Sequence, residues 1–219
     1  MKRFVAALFA LLLSAPLQSA LAAPTWTEGR EYARIEPAQG TSVPAGKIEV
    51  MEVFSYGCIA CNSFQPTIEK LKAGLPASAQ MVFLPASFIP SEDWVMLQRA
   101  YLTAQALGIA DRTHQKIFDA VWKSGELAIS KSPQPTLEDA ARCYARLTGV
   151  SSGEFLKAAH SFSVDYKVKA ADAQIAAMKV LSTPCVIVNG KYRVDLQALK
   201  GSDELVDLVK YLVKKESRG

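Results

Sequence analysis

The sequence has 219 residues, half of them hydrophobic, with 25 basic and 21 acidic side chains and a formal charge of +4. That balance is ordinary for a globular chain and too small to argue for a nucleic-acid partner; no basic stripe exists beyond short pieces such as Lys167-Val168-Lys169. Four cysteines in a chain this long do not make a disulfide-stapled scaffold.

The N-terminus reads as an export signal. Lys2 and Arg3 form a basic start, residues 4–13 an apolar run, and Ala20-Leu21-Ala22 a small-x-small cleavage pattern, so residues 1–22 are expected to be removed after about Ala22. The run is too short to span a bilayer, and Ser14, Pro16, Gln18 and Ser19 break it, which disfavours a membrane anchor. Loss of Lys2 and Arg3 lowers the formal charge from +4 to +2. Outside the cytosol, thiols tend to oxidise.

Residues 32–35 alternate weakly, as an edge strand does, and 47–54 (KIEVMEVF) has the β-branched, apolar character of a central strand. Residues 58–72 read as a helix that Pro66 should kink near Asn62. A second short strand covers 80–85. From 91 to about 181 the pattern is helical. Ser91 is placed to cap the first helix, whose face is Leu97, Ala100, Tyr101, Ala104 and Leu107, with a stop at Gly108. Ile117, Phe118, Val121 and Trp122 mark a second helix. Thr136 caps a third, stopped at Gly149, and Ser152 opens a fourth region broken near 161–163. Strand character returns at 185–188, Asn189-Gly190 signals a type I′ hairpin, and 192–194 pairs back. Ser202 is placed to cap a last helix with Leu205, Leu208, Val209 and Leu212 on one face.

The order describes an α/β fold: a mixed sheet interrupted by a helical insertion. The expected division is 23–90 and 166–219 for the two halves of the sheet domain and 91–165 for the insertion. Each half alone holds only part of a sheet.

Cys58 and Cys61 carry the chemistry. Cys58 follows a strand end and Gly57, at the mouth of the helix, with Cys61 one turn on. Residues i and i+3 share a helical face with Cα atoms roughly 5 Å apart, within disulfide range. So short a ring adds little stability, which suits a bond that is made and broken. Unpaired N–H groups at the helix start favour a thiolate on Cys58, expected as the exposed nucleophile, with Cys61 resolving. Zinc would require a second close pair, and Cys143 and Cys185 stand alone. Both read as free, buried thiols in preference to a second disulfide. Glu52 lies in an apolar run, where desolvation should raise its pKa and equip it to relay a proton to Cys61; an exposed strand position is the alternative. His114 and His160 read as helix-surface residues, Trp94, Trp122 and Phe118 as core of the insertion. Tyr56 and Phe88 are candidates for an apolar rim beside the cysteines that contacts substrate, with a place in the core as the default alternative.

EVFSYGCIAC after a strand, a helical insertion containing Trp94 after Pro85-x-x-Phe88, and STPCVIVNGKY together resemble the DsbA-like thiol oxidases of the bacterial periplasm, over essentially the whole chain beyond the signal. The resemblance implies a thioredoxin fold with an inserted helical domain. It implies Cys58 and Cys61 as attacking and resolving thiols, Thr183-Pro184 as a cis-proline loop that pairs with extended substrate, and Glu52 as the acid beneath the site. It implies an exported oxidase that donates its disulfide to reduced, unfolded secreted proteins and is reoxidised by a quinone-linked membrane partner of the DsbB type. No cofactor or metal is expected beyond the Cys58–Cys61 disulfide, and a monomer is expected. An isomerase or reductase, or a peptide-binding holdase with incidental cysteines, are the competing readings. One departure stands out: Ile59-Ala60 replaces the family's Pro-His between the cysteines. Neither side chain can donate a hydrogen bond to Cys58, so a higher Cys58 pKa and a less oxidising pair are expected.

Overall fold

The computed structural model describes residues 25–217; the signal expected at 1–22 lies outside them. Five strands form one sheet: β1 (Tyr32–Arg34), β2 (Ile48–Phe54), β3 (Ala79–Pro85), β4 (Cys185–Val188) and β5 (Tyr192–Val194), in the order β1-β5-β4-β2-β3. β2 runs parallel to β3 and antiparallel to β4, so the sheet is mixed. β2 is buried over most of its length, its two glutamates, Glu49 and Glu52, included. The β4–β5 hairpin turns at Asn189 and Gly190, with φ of 54° and 62°, the double left-handed geometry that selects Asn-Gly. Gly190 admits no substitute: a Cβ there would stand 2.2 Å from the Gln39 carbonyl oxygen.

Helices cover both faces. α1 (Ile59–Gly74) and α7 (Ser202–Glu216) pack Ile68, Leu71, Leu205, Leu208 and Leu212 against Val50, Val186 and Val188. On the opposite face Met51, Val53 and Ile187 meet Ile175 and Met178 at the end of α6 (Phe162–Ala177). Each such aliphatic side chain withdrawn from water contributes roughly 1.5–3 kcal/mol. Between β3 and β4 the chain also forms α2 (Trp94–Ala106), α3 (Ala110–Trp122), α4 (Leu137–Thr148) and α5 (Ser152–Ala159). Capping boxes at Thr136/Asp139 and Ser151/Glu154 start α4 and α5. α6 is one helix across the 165/166 boundary read from the sequence.

Two expected caps are corrected. Ser91 sits inside a 3₁₀ turn, Pro90–Glu92, and α2 starts after Asp93 in a left-handed conformation with no side-chain cap. Proline's fixed φ favours the early turn and shifts the cap by two residues, from Ser91 to Asp93. Ser202 is the first residue of α7 rather than its cap, which is Gly201; the Ser202 hydroxyl accepts from Lys70 Nζ at 3.3 Å.

Candidate active site

β2 ends at Phe54 and α1 begins at Ile59, so residues 55–58 form the turn that delivers Cys58 to the helix N-terminus. Cys58 is the N-cap of α1, and its sulfur accepts from the backbone N–H of Cys61 at 3.2 Å. No acidic residue occupies the first turn, so no first-turn carboxylate repels negative charge at the helix start. The Cys58 thiol donates to the carbonyl of Thr183 at 3.5 Å, and the Thr183-Pro184 peptide bond is cis. Two segments 125 residues apart thus meet at one sulfur.

The two sulfurs differ sharply. The Cys58 pKa falls to about 6: the Cys61 side chain, hydrogen-bonding to it, contributes most, burial opposes, and Thr183 and the N–H groups of Cys61 and Ala60 add to the lowering. Burial drives the Cys61 pKa the other way, far above the usual thiol range, with the hydrogen bond to Cys58 adding to it. Cys58 is less open than expected of a nucleophile, 7% exposed against 0% for Cys61. All four cysteines are free thiols. Ile59 and Ala60 point into solvent.

Glu52 is fully buried on β2, with Val186 and Phe83 as its strand neighbours, and both carboxyl oxygens lack a hydrogen-bond partner. Gln65, one turn beyond Cys61, donates to the Cys61 carbonyl at 3.2 Å. Burial raises the Glu52 pKa well above the carboxylate range, and charge on Cys58 raises it further. The exposed-strand alternative for Glu52 is thereby excluded.

Tyr56 does not form the rim expected of it. It shares strand parity with Phe54, turns inward, and is 1% exposed. Its hydroxyl lies 3.1 Å from Nδ1 of His114 on α3, and its carbonyl accepts from Trp122 Nε1 at 2.8 Å. His114 is correspondingly buried, not on the surface, within a ring of Phe54, Phe83, Tyr101 and Phe118. Phe88 is exposed and tilts against Trp94 at a centroid distance of 6.3 Å. Trp94 in turn lies over Gly57, where a Cβ would come within 2.6 Å of its Nε1, so only glycine fits. Three side chains of the helical block, His114, Trp122 and Trp94, therefore hold the two residues before Cys58. The helical phase of His114 carries the signal for its burial: it shares the buried face of α3 with Ile117, Phe118 and Val121.

Cys185 starts β4 opposite Val53, and Cys143 is buried on α4 beside Arg146, whose Nη2 is 3.7 Å from its sulfur. Burial pushes their pKa values up to about 12 and about 11.

The model of the DSBA-like thioredoxin domain matches residues 49–213. The thiol:disulfide interchange protein DsbA of Pseudomonas aeruginosa PAO1 is 34% identical over 194 residues, 89% of this chain and 87% of its own. That of Pseudomonas syringae pv. tomato is 32% identical over 209 residues, 94% and 93% of the two chains. Among solved structures, Pseudomonas aeruginosa DsbA superposes with a TM-score of 0.74 at 34% identity, over 87% of this chain and 94% of that one. The oxidoreductase DsbA of Xylella fastidiosa does so with a TM-score of 0.78 at 28% identity, over 90% and 100%. With the sheet, the inserted helices and the paired thiols in place, the chain belongs to the DSBA-like thioredoxin domain family of thiol:disulfide oxidoreductases.

Proposed function

We propose that the chain donates a Cys58–Cys61 disulfide to reduced proteins folding outside the cytosol. The observation that carries this reading is the Cys58 sulfur at a helix N-cap, 3.2 Å from the Cys61 N–H and 3.5 Å from the carbonyl before a cis proline. In the oxidised protein a client thiolate attacks Cys58 Sγ and the S–S bond breaks. Cys61 departs with the electron pair and takes a proton, leaving a Cys58–client mixed disulfide. A second client thiolate then attacks the client sulfur and expels the Cys58 thiolate, which the helix mouth stabilises. Two electrons pass from client to enzyme; Cys61 ends protonated, Cys58 ends as the thiolate, and the client thiols' other proton goes to solvent.

Cys61 is a poor thiolate, so its departure calls for a proton donor, and Glu52, kept protonated by burial, has that role. Thr183 and Pro184 present backbone to an extended client strand. Tyr56 acts from within, as a support of the loop, because its burial leaves no surface for a client. The redox-active cysteine pair is the whole electron carrier, with no added cofactor or metal. The reduced protein is returned to the disulfide by a DsbB-type, quinone-linked membrane protein. The protein works as a periplasmic monomer after cleavage near Ala22, with 91–165 as an insertion between the halves 23–90 and 166–219.

Stoichiometric oxidised protein mixed with a reduced, unfolded disulfide protein tests the reading. Transfer of one disulfide per enzyme, abolished by Cys58→Ala, is expected. Aggregation suppressed equally well by Cys58→Ala, with no disulfide transferred, would mark a holdase. Activity confined to a scrambled substrate would mark an isomerase.

A further inference from the structure

A groove of about 470 Å³ opens directly beside the cis-proline loop, on the side of Thr183 away from Cys58's helix. Its floor follows from the sheet. Ala33 of β1 pairs with Arg193 of β5, Arg193 pairs with Ile187 of β4, and Cys185 lies two residues before Ile187 on the same face. α6 ends at Ala177, and Ala33, Arg193 and the edge of Cys185 on this face line the groove. The segment 179–182 forms one wall and Gly29-Arg30 another. The volume falls in the range that holds a ligand or a short piece of chain.

The charge in the groove is unbalanced. Arg193 is held from one side only, its Nη1 donating to the carbonyls of Lys179 at 2.6 Å and Met178 at 3.5 Å. Carbonyls do not neutralise a guanidinium, and among the described residues neither Arg193 nor Lys179 has a carboxylate within ion-pair distance. Arg30, the third cation, is paired with Glu31 at 2.6 Å. Asp195 is the one acid of the lining, and its carboxylate caps the N–H of Gln197 at 3.0 Å. Leu181, 90% exposed, stands at the lip with Pro184, so the groove is continuous with the strand-pairing edge of the cis-proline loop.

We propose that this groove receives an acidic segment of the client next to its reacting cysteine, with Arg193 and Lys179 reading the client's carboxylates. The proposal rests on the oxidase reading and names the client class that the reading leaves open. Attraction of this kind acts on encounter and is screened by salt.

The test uses two short dithiol peptides, identical except that the residues flanking the first cysteine are aspartates in one and lysines in the other. Oxidation of each by the full-length oxidised protein is followed at low salt, and the ratio of the two rates is compared between the wild type and Lys179→Glu/Arg193→Gln. Flanking charge alters the peptide thiols themselves, but that effect cancels when the ratios are compared. The acidic-over-basic ratio is expected to fall by about tenfold in the double variant, and the difference between the proteins to vanish near 1 M salt. A ratio that is the same in both proteins at low salt overturns the groove assignment while leaving the oxidase reading intact. Failure to oxidise either peptide overturns the oxidase reading, and the groove assignment with it. Because Arg193 also braces the chain at Lys179, Lys179→Glu alone, at an exposed side chain, serves as the second variant, with an expected fall of about threefold.

Discussion

His114 Nδ1 sits 3.1 Å from the Tyr56 hydroxyl, two residues upstream of Cys58 and 58 residues away in sequence. Its other ring nitrogen, Nε2, is buried without a partner, so a charged imidazolium has nothing to stabilise it. Burial holds its pKa down at about 3, against 6.5 for free imidazole. Above pH 6.5 the ring is neutral folded or unfolded and adds no pH dependence. As pH falls below that, only the unfolded chain takes up the proton, so stability is lost down to about pH 3. The expected loss is roughly 3 kcal/mol by pH 4. Denaturant unfolding across pH 4–7 should show this slope in the wild type and a shallower one in His114→Phe; equal slopes would mean the ring is accessible to protons.

Local devices were legible in the sequence and tertiary ones were not. Cys58-x-x-Cys61, Asn189-Gly190 and the Thr136/Asp139 box each act within a few residues, and each appears where its spacing put it. His114 reads as a surface residue and Tyr56 as either rim or core, and the packing of α3 against the strand end buries both. The strand parity of Phe54 and Tyr56 and the helical phase of His114 with Ile117 held that information. Residue type, and for Ser91 the acids that follow it, argue for caps at Ser91 and Ser202, but Pro90 and Gly201 decide where those helices begin. The groove beside Pro184 depends on where α6 stops relative to three strands, and no window of sequence contains that.

The hydrogen bond from Cys61, with Thr183 and the helix-start N–H groups adding to it, should make Cys58 acidic even with Ile59-Ala60 between the cysteines. Thiolate absorbance of the reduced protein is expected to titrate near 6 and to disappear in Cys58→Ser. The folded pKa lies below the unfolded value of 9.0, so this group stabilises the reduced protein above pH 9 and the benefit is lost as pH falls through 6. At pH 7 it contributes on the order of 1 kcal/mol toward releasing the disulfide. Ala60 is exposed and brings no donor, so Ala60→His should lower the Cys58 pKa by about one unit and make the pair more oxidising against glutathione. An unchanged pKa would show that the residues between the cysteines do not tune this site.

Cys143 and Cys185 are separate, buried and poorly ionised, which predicts a simple thiol count. Oxidised protein opened in denaturant should show two thiols and fully reduced protein four. Zero thiols in the oxidised form would require a Cys143–Cys185 bond, and with it a rearrangement of α4 against β4. Replacing either with alanine should cost about 1–2 kcal/mol of stability and leave disulfide transfer intact.

Glu52 combines a structural penalty with a chemical use, and one substitution separates them. Its folded pKa is raised by burial, so its contribution to stability is full below the ordinary carboxylate range and is lost as pH rises through the folded value. This runs opposite to His114, and the difference between wild type and variant isolates it. Glu52→Gln keeps the shape and cannot ionise, so it should gain stability relative to wild type as pH is raised from 4 to 8. The same change removes the proton that Cys61 takes as it departs. Client attack on the oxidised pair should therefore slow by about a hundredfold at pH 7. If Glu52 only fills space, the stability gain would appear without the kinetic loss. If it relays the proton, both appear together, and the pH profile of the wild-type rate, which reports the carboxyl's own titration, flattens in Glu52→Gln. Stopped-flow reduction of the oxidised protein across that pH range, beside the unfolding series, decides between them.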